Sequence, residues 1–384
     1  MLPKELASIL PPSSFLVSTN ASNEQSFIEI LRTRNSIYKP GTTPIYSNAA
    51  FSLLALALEK ITGKPFLTTM QDSIFSPLNM SVTTLGTPFT DDNTVIPADV
   101  VSSGWQIDRA QPALLADTGM FSTVTEMSII GQSILRSTLL TLPSTGRWLK
   151  PHSYTSNPRN GVGMPFDIYT PTLSGTTTGP IIEIFTKLGA HGLYSPYFGL
   201  VPDHGVGFVI LSADTNQAAD LNAYADLIAE YLIPAMERTA AAEATMNYAG
   251  NYTSGQGVSS MTIDVDGLSG LSVLNWTANG GDVDVKGAYA QLLAIPAETM
   301  DMRLYPTDLH NAKSNRTNLT FRAVFQDTAA PADAGTPTCT TWRDGVDELV
   351  YNGFALDEFV FTLDKQGGAV TVTIDALGMT MERE

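Results

Sequence analysis

Pro44-Ile45-Tyr46-Ser47-Asn48 runs without a break into the apolar stretch 49–58. A phenol and an amide thus stand two residues apart at the head of a predicted helix over 48–62. That helix is apolar nearly all round, which predicts that it is buried. Gly63 is placed to end it, and Pro65 sits at the first turn of a following helix that Pro77 stops. Upstream, residues 1–45 read as irregular, with Pro11-Pro12-Ser13-Ser14 and Lys39-Pro40-Gly41 as breakers.

Downstream, Thr123-x-x-Glu126 reads as a capping box that opens a helix over 123–137, with Met127, Ile129, Ile130, Ile134 and Leu135 mainly on one side. Three strand-like runs follow at 181–187, 194–201 and 206–212, the last two joined by a turn at Asp203-His204-Gly205. A helix over 218–237 has Leu221, Leu227, Ile228, Tyr231 and Leu232 to lay on that sheet. Helices mixed with antiparallel strands make this part α+β. Beyond the Ala-rich stretch 239–245 the texture changes to short alternating runs, such as 359–363 and 370–374, separated by Asp266-Gly267, Asn279-Gly280-Gly281 and Gln366-Gly367-Gly368. Residues 1–245 are therefore read as one domain. Residues 246–384 are read as an all-β domain, a small antiparallel barrel.

Bulk composition narrows the partners. The 384 residues are 43% hydrophobic, ample for packed cores, and two domains is the natural number for that length. A net charge of −17 argues against nucleic acid and against an anionic membrane surface, both of which attract clustered Lys and Arg. Cys339 is the single cysteine, so no intramolecular disulfide forms. No apolar run is long enough to span a bilayer, and the first residues lack the charged and apolar regions of a signal peptide. Sequons at Asn20, Asn79, Asn251, Asn275, Asn315 and Asn318 are expected by chance in a chain rich in Ser and Thr. The expectation is a cytoplasmic protein. His152, His204 and His310 are scattered without ligand spacing, so neither metal nor cofactor is expected.

Four pieces, in order, resemble the serine β-lactamase and penicillin-binding-protein family, in the branch whose second motif is Tyr-x-Asn. They are Tyr46-Ser47-Asn48, Gly119-Met120-Phe121-Ser122-Thr123 before a helix, Lys187-Leu188-Gly189 on a strand, and the hairpin 194–212 behind it. The resemblance runs from about Thr42 onward and is greatest to fungal β-lactamase-like proteins that carry an extra C-terminal β domain. It implies a β-lactamase/transpeptidase-like fold lacking its N-terminal portion, followed by the barrel. It also implies a pocket with Tyr46 and Lys187 as the catalytic pair and with Asn48, Leu188, Gly189, His191 and Tyr194 facing the substrate. Relatives of this kind are often secreted.

Chemistry suggests the roles. An ammonium near a phenol favours the phenolate, so Tyr46 is expected to exchange protons near neutral pH. Asn48 offers a donor and an acceptor. Lys187 supplies positive charge, and the strand after it, in the family, contributes an N–H to the oxyanion hole. Leu188 stands where the family carries a hydroxyl, which removes one polar contact and argues against recognition of a β-lactam carboxylate. His191 reads equally as a pocket acid or base and as a satisfied structural histidine.

The family's nucleophile motif is Ser-x-x-Lys. Its only occurrence is Ser36-Ile37-Tyr38-Lys39, which abuts Pro40-Gly41 and makes a poor helix start. Ser122 reads as a residue that satisfies free N–H groups at a helix start. The expected function is acid/base chemistry without a serine nucleophile (isomerisation, cyclisation or elimination) on a small carbonyl-containing molecule. An inert binding relative, and a shortened product of an ordinary serine hydrolase gene, are the alternatives. A helix at 48–62 and a strand at Lys187 without their family neighbours would expose apolar surface. Residues 1–45 or a second subunit cover it, or the groove is open to an apolar ligand.

Overall fold

Asn23 corrects the expectation that residues 1–45 are irregular. Its side chain accepts the N–H of Ser26 while its own N–H is held by the Ser26 hydroxyl, and this reciprocal cap starts helix α1 (Glu24–Thr33). The computed structural model of the protein describes residues 23–88, 94–105, 115–171, 181–216, 219–255, 258–313, 316–330 and 345–384. Cys339, the side chain of His310, the breakers at residues 11–14 and the sequons at Asn20 and Asn315 lie outside the described residues. The described residues fall into two units, one within 23–171 and 181–230, the other within 231–384.

In the first unit, Ser47 is extended (φ −152°, ψ 115°) and its hydroxyl accepts the Ala50 N–H, which starts α2 (Asn48–Thr62) where the sequence predicts it. Gly63 ends the helix at φ 67°, a left-handed conformation that glycine adopts without strain. The expectation that α2 is buried all round is not met. Ser52, Ala55 and Leu56 are buried, whereas Leu53, Leu54 and Ile61 are exposed. The reason is that, among the described residues, neighbours cover one face only. Ala55 and Leu56 pack with Phe66 and Leu85, and Phe27 and Ile28 of α1 lie against them. Next comes α3 (Phe66–Met70), which runs on into a π-helical turn at Gln71–Phe75.

Strands β1 (Thr84–Leu85) and β2 (Met120–Phe121) pair antiparallel ahead of α4 (Val124–Leu135). Thr123 caps α4 by accepting the Glu126 N–H, as predicted, but Glu126 does not close the box. Its carboxylate instead accepts the N–H groups of Val82 and Thr83 and the Thr83 hydroxyl, which ties α4 to the segment before β1. Helix α5 (Leu142–Trp148) leads into a six-stranded antiparallel meander. Its strands are β3 (Ser153–Tyr154), β4 (Asn160–Val162), β5 (Asp167–Tyr169), β6 (Ile184–Leu188), β7 (Tyr194–Val201) and β8 (Val206–Ala213), in that order across the sheet. Met127, Ile134 and Leu135 of α4 pack on the sheet residues Ile168, Phe185, Phe198 and Leu200. Gly205, at φ 63°, makes the turn between β7 and β8.

Helix α6 (Asn222–Tyr248) is longer than the 218–237 expected. The Ala-rich stretch 239–245, read as lying between that helix and the change of texture, is helical, since alanine has the highest helix propensity. In the second unit, β9 (Gly250–Thr253), β10 (Ser260–Asp264) and β11 (Leu271–Ala278) follow, then β12 (Val283–Asp284) and α7 (Val285–Leu292). The long strands β13 (Met300–Lys313) and β14 (Arg316–Asp327) come next. A small hairpin, β15 (Val350–Tyr351) with β16 (Phe354–Ala355), precedes β17 (Glu358–Leu363), β18 (Ala369–Ile374) and β19 (Met379–Arg383). The order β10-β9-β19-β18-β17-β14-β13-β11 closes on itself through a β10–β11 pairing, and β12 adds to β11. This is a closed eight-stranded antiparallel barrel, as the alternating runs predict. Phe359, Phe361 and Leu363 alternate inward along β17 and join Trp276, Tyr252, Met302 and Tyr289 in one continuous core.

Candidate functional site

Tyr46 and Asn48 are brought together by the chain's entry into α2. The Tyr46 hydroxyl donates to Asn48 Oδ1 at 2.7 Å, and the Tyr46 ring packs on Phe51 one turn along, centroids 5.8 Å apart. Lys187, near the end of β6, places its Nζ 4.7 Å from the centroid of the Tyr46 ring and donates to the Leu188 carbonyl at 2.9 Å. An ammonium over the face of a tyrosine is held by the ring quadrupole. The predicted pair therefore meets, but through the ring face and not through the phenol oxygen.

That geometry corrects one expectation. The Tyr46 phenol is not pushed toward its phenolate. Burial, and then the negative charges of Asp117 and Asp167, raise it above the ordinary tyrosine value. Tyr46 is still well exposed (59%), so solvent reaches its hydroxyl. At neutral pH the phenol keeps its proton. The two aspartates carry no motif, and sequence reasoning missed both. The one available signal for Asp167 is its register opposite Thr186, one residue before Lys187.

The strand end is shaped by its neighbours. β6 pairs with β5 as far as Thr186, so Lys187 and Leu188 run past the last β5 partner while β7 still pairs with them. The Gly189 N–H donates to the Pro196 carbonyl at 3.0 Å and is thereby committed to β7. A Cβ on Gly189 would lie 2.9 Å from Pro196 Cγ, so the close approach of the two strands needs glycine there. Leu188 is partly exposed (38%) beside Lys187.

His191 and Tyr194 exchange backbone hydrogen bonds at 3.0 and 2.9 Å across the hairpin tip. The Tyr194 hydroxyl donates to the Val95 carbonyl at 2.8 Å, and burial raises its phenol. Its ring stands edge-on to Phe121 at 6.5 Å, and Phe121 stands edge-on to buried Trp105 at 5.0 Å. The Tyr194 hydroxyl is thus engaged by backbone.

Of the two candidate serines, Ser36 lies in an exposed, non-helical segment with Lys39, so the Ser-x-x-Lys string has no helical face to share. The Ser122 hydroxyl bonds the Thr83 hydroxyl at 2.8 Å, beside Glu126. Burial works to raise the Glu126 carboxyl. The Thr83 hydroxyl and the N–H groups of Val82, Thr83 and Ser81 outweigh it and hold the group below the ordinary carboxylate range. No helix among the described residues is long and apolar enough to cross a membrane.

Comparison with known proteins adds the lineage. Residues 7–233 match the family model described as beta-lactamase, and residues 240–384 match one described as the C-terminal domain of beta-lactamase-like proteins. The chain is 26% identical to a beta-lactamase-like protein of Arthroderma benhamiae, over 94% of this chain and 64% of that protein. It is 24% identical to the probable hydrolase clz13 of Cochliobolus lunatus, over 92% of this chain and 57% of the relative. The chain therefore spans 57–64% of the length of these relatives. An octameric penicillin-binding protein homologue from Pyrococcus abyssi superposes with a TM-score of 0.43 at 16% identity, over 78% of this chain and 65% of that one. With its family model covering residues 7–233 and its barrel matching the companion C-terminal model, the chain belongs to the β-lactamase family.

Proposed function

We propose that this chain carries the acid/base half of a hydrolase-family site and acts on a small carbonyl compound, with Tyr46 as the proton donor. The observation that carries the reading is the Tyr46–Asn48–Lys187 group: a phenol held protonated, hydrogen-bonded at 2.7 Å to Asn48, under an ammonium 4.7 Å from its ring. The O–H bond of Tyr46 breaks as its proton passes to the substrate's carbonyl or leaving oxygen. The phenolate left behind is stabilised by Lys187, and Asn48 turns from acceptor to donor toward it. The reading assigns no nucleophile to Ser36 or Ser122, since one lies in an exposed, non-helical segment and the other is held by Thr83.

The coverage of 57–64% of relatives named as hydrolases or β-lactamase-like proteins favours a second reading. In it the same proton donor serves covalent acyl transfer, with a nucleophile outside this sequence. Turnover of p-nitrophenyl butyrate by the Tyr46→Phe variant tests the shared core of both. Removing one hydroxyl while keeping the ring under Lys187 is expected to slow turnover by about 100-fold. Unchanged turnover overturns the assignment. Fluorophosphonate treatment followed by intact mass tests the assignment of the serines, and stoichiometric labelling of Ser36 or Ser122 refutes it.

A further inference from the structure

The start of α2 is built as a staple. Ser47 is the N-cap, its hydroxyl accepting the Ala50 N–H at 3.3 Å. Tyr46 stands one residue before the cap, and Phe51 stands four residues after it. Apolar side chains at those two places pack together and fix the angle at which a chain enters a helix. Here both are aromatic. Their ring centroids lie 5.8 Å apart with the planes tilted by 47°, a separation at which rings attract.

Three contacts thus bear on a tyrosine that is otherwise open to solvent. Phe51 packs on the ring, Asn48 Oδ1 takes the hydroxyl at 2.7 Å, and Lys187 Nζ stands 4.7 Å from the ring centroid. They are unequal as restraints. Lys187 carries its ammonium on a flexible four-carbon stem and shares it with the Leu188 carbonyl at 2.9 Å. Asn48 must exchange its acceptor for a donor when the phenol loses its proton, so that contact changes in the course of proton transfer. Phe51 is half-buried on the second turn of α2, where an aromatic side chain has few rotamers. Its packing does not depend on where the proton is.

We propose that Phe51 is a positioning residue for Tyr46, holding the phenol ring at a fixed angle under Lys187 before and after the proton leaves. The pair that sets the entry of the chain into α2 then also sets the aim of the hydroxyl, and a misaimed donor forfeits much of the advantage of orientation. The effect on turnover rests on the proposed role of Tyr46 as proton donor. The placing of the ring does not.

The test pairs kinetics with a geometric readout. Phe51→Ala is expected to lower kcat for p-nitrophenyl butyrate about 10-fold while KM changes by less than about twofold. The geometric readout is the Lys187 Cε resonance in protein isotope-labelled at lysine Cε, assigned from Lys187→Arg, because an aromatic ring shifts a methylene held over its face. Tyr46→Leu gives the position of that resonance without the ring, and Phe51→Ala should move it toward that position. Phe51→Tyr, which keeps a ring at 51, should restore both values. Phe51→Met keeps apolar bulk without a ring and should show the same changes at roughly threefold in kcat, so an alanine variant that does not fold leaves the test intact. If kcat falls only as the folded fraction falls, with the resonance at its parental position, Phe51 is a packing residue and the proposal is overturned. A resonance that moves while kcat stays parental, with Tyr46→Phe slow, equally removes the positioning role. If Tyr46→Phe does not slow turnover but Phe51→Ala still moves the resonance, the proposed function fails and the placing of the ring by Phe51 stands.

Discussion

The barrel and the sheet-and-helix unit solve the same packing problem differently. In the barrel, strands from Tyr252 to Met381 contribute to one continuous core, and Trp276, Tyr252, Phe359 and Phe361 are almost wholly removed from solvent. In the first unit, the described residues form several smaller clusters, and α2 shows Leu53, Leu54 and Ile61 to solvent. Closure explains the contrast. A barrel has no edge and an interior that its own side chains fill, whereas an open sheet needs helices to cover it. The candidate site belongs to the unit with the looser core, on a helix start and a strand end.

The contrast is broken most severely by Trp276→Ala. Trp276 stacks on Tyr289 at 5.5 Å and meets Phe359 edge-on at 5.6 Å, so truncation leaves a large hole that closed strands cannot collapse into. A loss of about 4 kcal/mol is expected, seen as hydrogen exchange roughly 1,000-fold faster in the β11, β14 and β17 amides. Exchange unchanged in those strands would mean that the barrel core is not the cooperative unit described.

A smaller effect is expected from Glu126→Gln in the first unit. Here a carboxylate, not a large apolar cluster, ties α4 to the segment before β1. A loss of about 2 kcal/mol is expected in urea unfolding at pH 7. Because the folded carboxyl lies below its ordinary value, its contribution is present above the ordinary value and disappears as pH falls through the folded one. The parent and variant should therefore converge under acid conditions, and a gap that widens below about pH 4 contradicts the assignment.

The smallest effect sharpens the comparison from the other side. Ile61 is 81% exposed, so Ile61→Lys should alter the unfolding midpoint by no more than about 0.5 kcal/mol equivalent. A marked destabilisation would show that this face of α2 is covered in solution.

The sequence makes the regular elements readable because each is specified locally. α2 is bounded by Ser47 and Gly63, β7 and β8 by the turn at Gly205, and β17 by strict alternation. α1 was missed because its signal, Asn23 with Ser26, is a reciprocal cap without the usual acidic partner. The end of α6 was missed because alanine has no amphipathic pattern to read. At the site, Tyr46, Asn48 and Lys187 were legible as motif residues. The sense of the Tyr46 shift was not, because it depends first on burial and then on Asp117 and Asp167, which only the folded backbone brings near. Glu126 likewise has a local reading, as a cap, that a partner more than forty residues away overrides.

The last strand of the barrel has a consequence for synthesis. β19 pairs with β9, so Glu382 meets Thr253 and Arg383 meets Tyr252 across most of the barrel's sequence. Contacts of such long range form late and slowly. During translation the barrel cannot close until its final strand has emerged. Until then β9 and β18 each present an unpaired edge, the kind of template on which nascent chains join one another. Expression yield should therefore depend on chaperone supply and temperature more through this closing step than through the stability of the finished fold.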